Sequence, residues 1–283
     1  MLKDEIYTRE EILDAFKKVA FNSTLMCLAA FGVVNLLHNL IWYLGAYHYI
    51  SEPVLLYNSV AFVKSEGWYP RAVKIIYNAG PYLCVGLAIL SYLVFLAVPK
   101  KRSTYRMLWF WIFIHSMNYY LVQWLATPYV RNSGIGVLTR YWYWTERDRF
   151  IAALIALIVI IFYGRFIAHN FLQFTPAMKY MKRNNYRVFS FYVLMIPAFV
   201  LMALIPAFHM FYEWRVVWLM VLALFLMSAS VFIRISERKF MVHFFEETYK
   251  IRYSYGAVFA FAIVVAAYLY LYFFGLRLEP GLF

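Results

Sequence analysis

The chain reads as an all-α, polytopic membrane protein: a bundle of about seven transmembrane helices with its N-terminus inside. Three observations carry that expectation. Hydrophobic residues make up 65% of the 283 residues and the mean hydropathy is +0.64, more apolar surface than a soluble core of this size can hide. Charged residues, at 14%, fall mostly at the ends of apolar segments rather than within them. The nine Trp and 26 Tyr suit interfacial belts, where an apolar ring and a polar edge each meet their own phase.

Residues 1–22 open with Thr8 and Glu11 in a capping-box spacing. Ile12, Leu13, Phe16 and Val19 then lie on one side and Lys17 and Lys18 on the other, which predicts an amphipathic helix on the membrane surface. Asp4, Glu5, Glu10 and Glu11, with no small-residue cleavage site, set this start apart from a secretory signal. Apolar segments follow at about 24–50, 77–98, 107–127, 150–174, 189–208, 215–235 and 255–276, each long enough to cross about 30 Å of hydrocarbon. The connections 51–76 and 128–149 are the largest. The second holds Gly134 and Gly136 and then Tyr141, Trp142, Tyr143 and Trp144, an interface anchor. With no linker, low-complexity tract or repeat, residues 1–283 form a single integral membrane domain.

Basic residues set the orientation. Lys3, Arg9, Lys17, Lys18, Lys100, Lys101, Arg102, Arg106, Lys179, Lys182, Arg183, Arg187, Arg234, Arg238, Lys239, Lys250 and Arg252 are 17 cations on one side. The opposite side holds nine: Lys64, Arg71, Lys74, Arg131, Arg140, Arg147, Arg149, Arg215 and Arg277. The positive-inside rule then gives N-inside and C-outside. The same rule, with anionic lipid, accounts for the net charge of +13, so no nucleic-acid partner is implied. Cys27 and Cys84 lie in different segments, which argues against a disulfide. No cysteine spacing for covalent haem or an iron–sulfur cluster exists, so a redox cofactor would have to be held by histidine.

Polar residues in lipid are functional candidates because they are costly there. No Asp or Glu lies mid-span, which weakens a carboxylate-driven pump. What remains is Asn35, His38, Asn39 and His48 in the first segment, His115 and Asn118 in the third, and Arg165, His169 and Asn170 in the fourth. His209 ends the fifth segment and His243 falls in an inner loop. Each could simply hydrogen-bond a neighbouring helix. Neutral imidazole is also a good axial ligand for haem iron, and His38 and His48, ten residues or about 15 Å apart, would place one ligand in each leaflet. Gly32 and Gly45 would admit a porphyrin close to the backbone, or serve helix packing. Arg165 would pair a haem propionate, or snorkel.

Asn35-Leu36-Leu37-His38, followed by His48, resembles the haem-ligand helix of the membrane cytochrome b (gamma) subunit of respiratory nitrate reductases. Gly164-Arg165-Phe166-Ile167-Ala168-His169, then Pro176, Lys179 and Lys182, resembles that family's later ligand helix; the likeness covers about 24–185. It implies a cytochrome b-type anchor subunit in the cell (inner) membrane. Such a subunit would pass electrons between quinone and a partner oxidoreductase subunit, with no catalytic domain on this chain. His38 and His169 would ligate one haem b. A second haem at His48 lacks its family partner, since the matching stretch reads Arg149-Phe150-Ile151-Ala152; His209 is the remaining candidate. Depth along the helices selects His115 with His169 instead, so both pairs stay open. A second resemblance places Asn35-Leu36-Leu37-His38-Asn39 where intramembrane site-2-type metalloproteases carry HExxH, and Ala79-Gly80-Pro81 looks like their second-helix signature. Asn35, Leu36 and Asn39 replace both zinc ligands and the general base, so that ancestry implies a catalytically dead protein. A haem-free membrane scaffold subunit and a transporter complete the alternatives.

The cation asymmetry makes orientation testable: a C-terminal reporter active only in the inner compartment is expected to stay silent, and a strong signal would reverse the topology.

Overall fold

The computed structural model describes residues 9–49, 53–62, 69–99, 103–130, 134–174, 185–208, 214–236 and 252–277. Helix α1 (Arg9–Tyr49) runs unbroken for 41 residues, about 61 Å at 1.5 Å per residue. The expected separation of a surface helix over 1–22 from a span beginning at 24 therefore does not occur within the described part. No proline interrupts this stretch, and the polar run Asn22-Ser23-Thr24 is absorbed rather than breaking the helix. Thr24 donates back to Ala20 O at 2.8 Å, while Asn22 and Ser23 reach other segments. Phe16 is fully buried, edge-on to Phe189 at 5.2 Å, so this end of α1 packs on protein instead of lying along lipid. Asp14 and Lys18 pair one turn apart on its exposed side.

A short hairpin follows, with β1 (Pro53–Leu55) antiparallel to β2 (Val60–Phe62). Leu55 also exchanges two backbone hydrogen bonds with Leu276, at 3.0 and 2.9 Å. The all-α expectation holds for the helical body, and this cap is an addition to it. We call its side of the molecule the hairpin face. Helices α2 (Pro70–Ala97), α3 (Ser103–Leu125), the short α4 (Ile135–Tyr141) and α5 (Glu146–Leu172) come next. Thr145 and Asp148 close a capping box at the start of α5, with Thr145 N donating to Asp148 Oδ2 at 2.9 Å.

The chain then enters α6 (Asn185–Ser190), a π-helical turn (Phe191–Met195) and α7 (Ile196–Phe208). Pro197 has no N–H to offer the carbonyl of Val193 four residues back. Ser23 Oγ donates to that carbonyl at 2.7 Å and itself accepts from Trp111 Nε1 at 3.1 Å. Helices α8 (Trp214–Ser236) and α9 (Tyr255–Phe273) complete the bundle.

Among the described residues, six stretches are long and apolar enough to cross a membrane: α1, α2, α5, α6 through α7, α8 and α9. The chain is accordingly a multi-pass membrane protein with apolar helices suited to lipid contact. The expected seventh span corresponds to α3, whose 23 residues are about 35 Å long but carry more polarity. Its neighbours explain this. Helix α3 packs against α1, α2, α5 and α8, so its side chains face protein on most sides and have no need to match lipid. Helix α1 is equally central, 61% buried over its most apolar stretch against 17% for α9.

Close approach of α5 and α8 depends on Gly164: a Cβ there would stand 2.6 Å from Met227 O and 2.8 Å from Ser230 Cβ. Ser230 Oγ uses the proximity to donate to Ile161 O at 2.7 Å. Gly164→Leu is expected to destabilise the bundle by about 1–3 kcal/mol in detergent unfolding, because a backbone carbonyl cannot move aside. Gly86→Ala, with nothing within 4 Å, should cost nothing measurable.

Candidate functional site

Helices α1 and α3 run parallel and share a ladder of polar contacts. Starting near the N-terminal end, the rungs are Ser23 with Trp111, Cys27 with His115, Asn35 with Tyr119, and His38 with Gln123. Each puts a polar atom of α1 against one of α3 inside the bundle, which is how a membrane interior tolerates them.

Asn35, fully buried, is the most connected rung. Its Nδ2 donates to Tyr268 Oη of α9 at 2.7 Å, and its Oδ1 accepts from Tyr119 Oη at 3.0 Å. Tyr268 Oη also lies 3.4 Å from Gly32 O. One turn on, His38 is 5% exposed and pinned from several directions. Its Nδ1 stands 3.4 Å from Asn39 Oδ1 and its Nε2 3.4 Å from Gln123 Nε2. This pairing fits a neutral imidazole protonated on Nδ1, with Nε2 accepting from the Gln123 amide. Tyr119 lies against the ring at a centroid distance of 4.7 Å, with Trp42 at 5.9 Å. On the α2 side, Gly80 touches the imidazole so closely that a Cβ there would stand 2.8 Å from His38 Cδ2. Glycine is what lets α2 close over the ring.

A cavity of about 30 Å³ adjoins this group, lined by His38, Trp42, Tyr77, Tyr119 and Gln123 among others. That is room for a water or two. Gln123 Oε1 and Asn39 Nδ2 are buried with no hydrogen-bond partner among the described residues. A wider recess of about 520 Å³ lies beside it, lined by Val73, Tyr77, Val137, Arg140, Tyr141 and Tyr143; Tyr77 belongs to both.

The expected haem ligands do not come together. Helix α5 runs antiparallel to α3: Arg149 O meets Thr127, Tyr163 Oη meets Phe113 O, and Gln173 meets Arg106. His169 lies between Tyr163 and Gln173, level with about residue 109 of α3, whereas His38 is level with 119–123. The two imidazoles are thus offset by about 15 Å or more along the bundle. Axial ligands of one metal must face each other across two bonds of about 2 Å each. His38 and His169 are not brought to one level here.

The depth-selected pair fares little better. His115 is about 9 Å from the level of His169 by the same ladder. Its ring is 2% exposed, stacked on Trp111 at 5.4 Å, edge-on to Phe31 at 5.8 Å and 3.5 Å from Cys27 Sγ. His48 is exposed near the end of α1 beside Tyr49 at 4.8 Å, ten residues beyond His38. Arg165 and His169 are half-buried on α5. Gly32 is approached by Val264 and Tyr268 of α9, and Gly45 by Ile76 of α2, which is helix packing. Both cysteines are free and buried. Among the described residues no group of three His, Cys, Asp or Glu converges on a metal position. The Thr8 cap, His209 and His243 lie outside the described residues.

Gln123, Tyr119, Tyr77 and Tyr268 are site residues that sequence reasoning missed. A signal existed for Gln123, a second amide in the span that already holds Asn118, two turns beyond His115. The tyrosines were indistinguishable from belt residues.

Comparison with protein-family models, characterised proteins and solved structures finds no match. Fold and site together define a multi-pass membrane protein built around a central helix that carries a buried amide–imidazole–tyrosine cluster.

Asn35→Leu removes the partner of two tyrosine hydroxyls and is expected to destabilise the protein by about 1–2 kcal/mol. A double-mutant cycle with Tyr268→Phe should return a coupling of about 0.5–1.5 kcal/mol. Additive effects would show that the hydroxyl is not engaged by the amide.

Proposed function

We propose that this chain is a haem-free multi-pass protein of the cell (inner) membrane, N-terminus inside, that acts by holding a small molecule at the His38 cluster rather than by carrying electrons. One observation carries the reading: His38 is closed in by Asn39, Gln123, Tyr119 and Gly80, beside a small cavity with an unpartnered amide oxygen. An imidazole placed this way orients a polar pocket and offers no open axial position. The quinone and partner-subunit expectations rested on electron transfer through paired haem ligands, and this reading does without them.

The contact of His38 with Gly80 also supports the second resemblance, since it brings the Asn35–Asn39 stretch and the Ala79-Gly80-Pro81 stretch together. Asn35 and Asn39 stand at both metal positions, and Asn35 is spent on Tyr119 and Tyr268. On that lineage, the proteolytic centre has been replaced by a hydrogen-bonded cluster, and binding is what remains.

A reduced-minus-oxidised optical spectrum of the purified chain tests the reading. No α-band is expected. A band at one haem per chain, lost in both His38→Ala and His169→Ala, would return the protein to the cytochromes.

A further inference from the structure

Arg149, the fourth residue of α5, is only 7% exposed, and its Nε is sealed from solvent with no hydrogen-bond partner. The bundle treats its other buried arginine differently. Arg106 donates from Nε to Phe95 O at 3.2 Å and from Nη2 to Gln173 Oε1 at 2.9 Å, with its guanidinium over the Phe95 ring. Among the described residues no carboxylate pairs with Arg149: Asp148 beside it is spent on Thr145 N and Oγ1, closing the helix cap. Its position adds to the cost, because the start of a helix carries the positive end of the dipole. An enclosed and unpaired guanidinium is a heavy penalty, and an anion from outside the described residues relieves it.

The surroundings identify that anion. Thr127 Oγ1 donates to Trp124 O at 2.8 Å and to Arg149 O at 3.2 Å, so Arg149 is level with the C-terminal end of α3. Arg215 of α8 reaches the same end, its Nη1 donating to Tyr129 O at 3.4 Å. Two arginines from two helices thus bracket residues 127–129. Trp124, Trp142 and Trp144 cluster beside them, with ring centroids 5.6, 5.9 and 6.5 Å apart. Indoles collect at the depth of lipid headgroups, which sets the depth of Arg149 too. From this level onward α5 exposes Ile151 and Ile155, and α8 exposes Trp218 and Leu222. Charge at headgroup depth, continued by apolar helix faces, matches the two halves of a phospholipid.

We propose that Arg149, with Arg215, holds the phosphodiester of an acidic phospholipid, whose acyl chains lie along the exposed faces of α5 and α8. Guanidinium suits this role because its planar fork meets phosphate oxygens with charge-assisted hydrogen bonds. The headgroup is selected as well. A choline or ethanolamine headgroup brings a cation of its own towards two arginines, whereas a glycerol headgroup leaves the phosphate charge uncompensated and free to answer them. The site stands apart from the His38 cluster and does not depend on what that cluster binds.

Native mass spectrometry of the full chain in uncharged detergent, titrated with phosphatidylglycerol or phosphatidylcholine of matched acyl chains, tests the site. Phosphatidylglycerol is expected to bind about tenfold more tightly. Arg149→Gln should erase that preference, and Arg71→Gln, at an exposed cation elsewhere, should keep it. Melting gives a second readout. Arg149→Met should melt above the wild type in phosphatidylcholine nanodiscs and below it in phosphatidylglycerol nanodiscs, because removing a buried charge helps only where no anion answers it. If neither Arg149 variant folds, the wild-type preference, unchanged by millimolar inorganic phosphate, stands as the test. Displacement of the lipid by inorganic phosphate would make this a soluble-anion site and overturn the proposal. Equal binding of the two lipids, an equal loss in Arg71→Gln, or one melting order in both nanodiscs would overturn it too.

Discussion

An amide side chain in hydrocarbon has no water to fall back on, and the carboxamide of Asn35 meets that constraint by binding two tyrosine hydroxyls from two different helices. Much of the architecture follows from this pairing. It sets α9 against α1 at mid-height, where Val264 and Tyr268 settle over Gly32. Below it, Asn22 holds Arg252 O and Ser254 N; above it, Leu276 pairs with Leu55. An otherwise lipid-exposed helix is thereby fixed to the core at three heights by polar contacts. Hydrophobic attraction alone could not do this, because lipid competes for the same apolar surface.

The ladder between α1 and α3 extends the same logic. Its rungs are aligned because the two helices run parallel, and each satisfies a group that would be costly if turned to lipid. Ser23 shows how far this reaches: a single hydroxyl serves the carbonyl orphaned by Pro197 and the indole of Trp111. The π-helical turn in the neighbouring segment is stable because a serine on the central helix supports it.

Helix positions were legible because apolar length is read directly against bilayer thickness, and the described helices overlap every expected segment. The unbroken α1 was not legible. Its amphipathic start looks like a surface helix until Phe189, far away in sequence, arrives to cover Phe16. The hairpin was hidden because three-residue strands leave no alternation to detect. At the site, Asn35, His38 and Asn39 stood out by type, since polar residues in a span are conspicuous. Their partners did not. Tyr119 and Tyr268 are chemically identical to interfacial tyrosines, and only register decides which hydroxyl finds an amide. The relative levels of the histidines were illegible for a related reason: spacing along one helix fixes depth on that helix alone, while tilt and direction set the level of the next.

The Asn35–Tyr268 bond joins residues 233 apart in the chain. At ordinary translation speeds of about 5–20 residues per second, roughly 10–50 s pass between synthesis of the two partners. The partners of α1 follow it at different times: Gly80 and Gln123 reach His38 within 85 residues of synthesis, whereas the second hydroxyl of Asn35 waits for the whole interval. Biogenesis must therefore shelter α1, in an insertase or at the membrane–water boundary, until α3 and then α9 reach it. Asn35 is completed only when α9 arrives, and truncations that omit α9 are expected to leave a protein marked for membrane quality control.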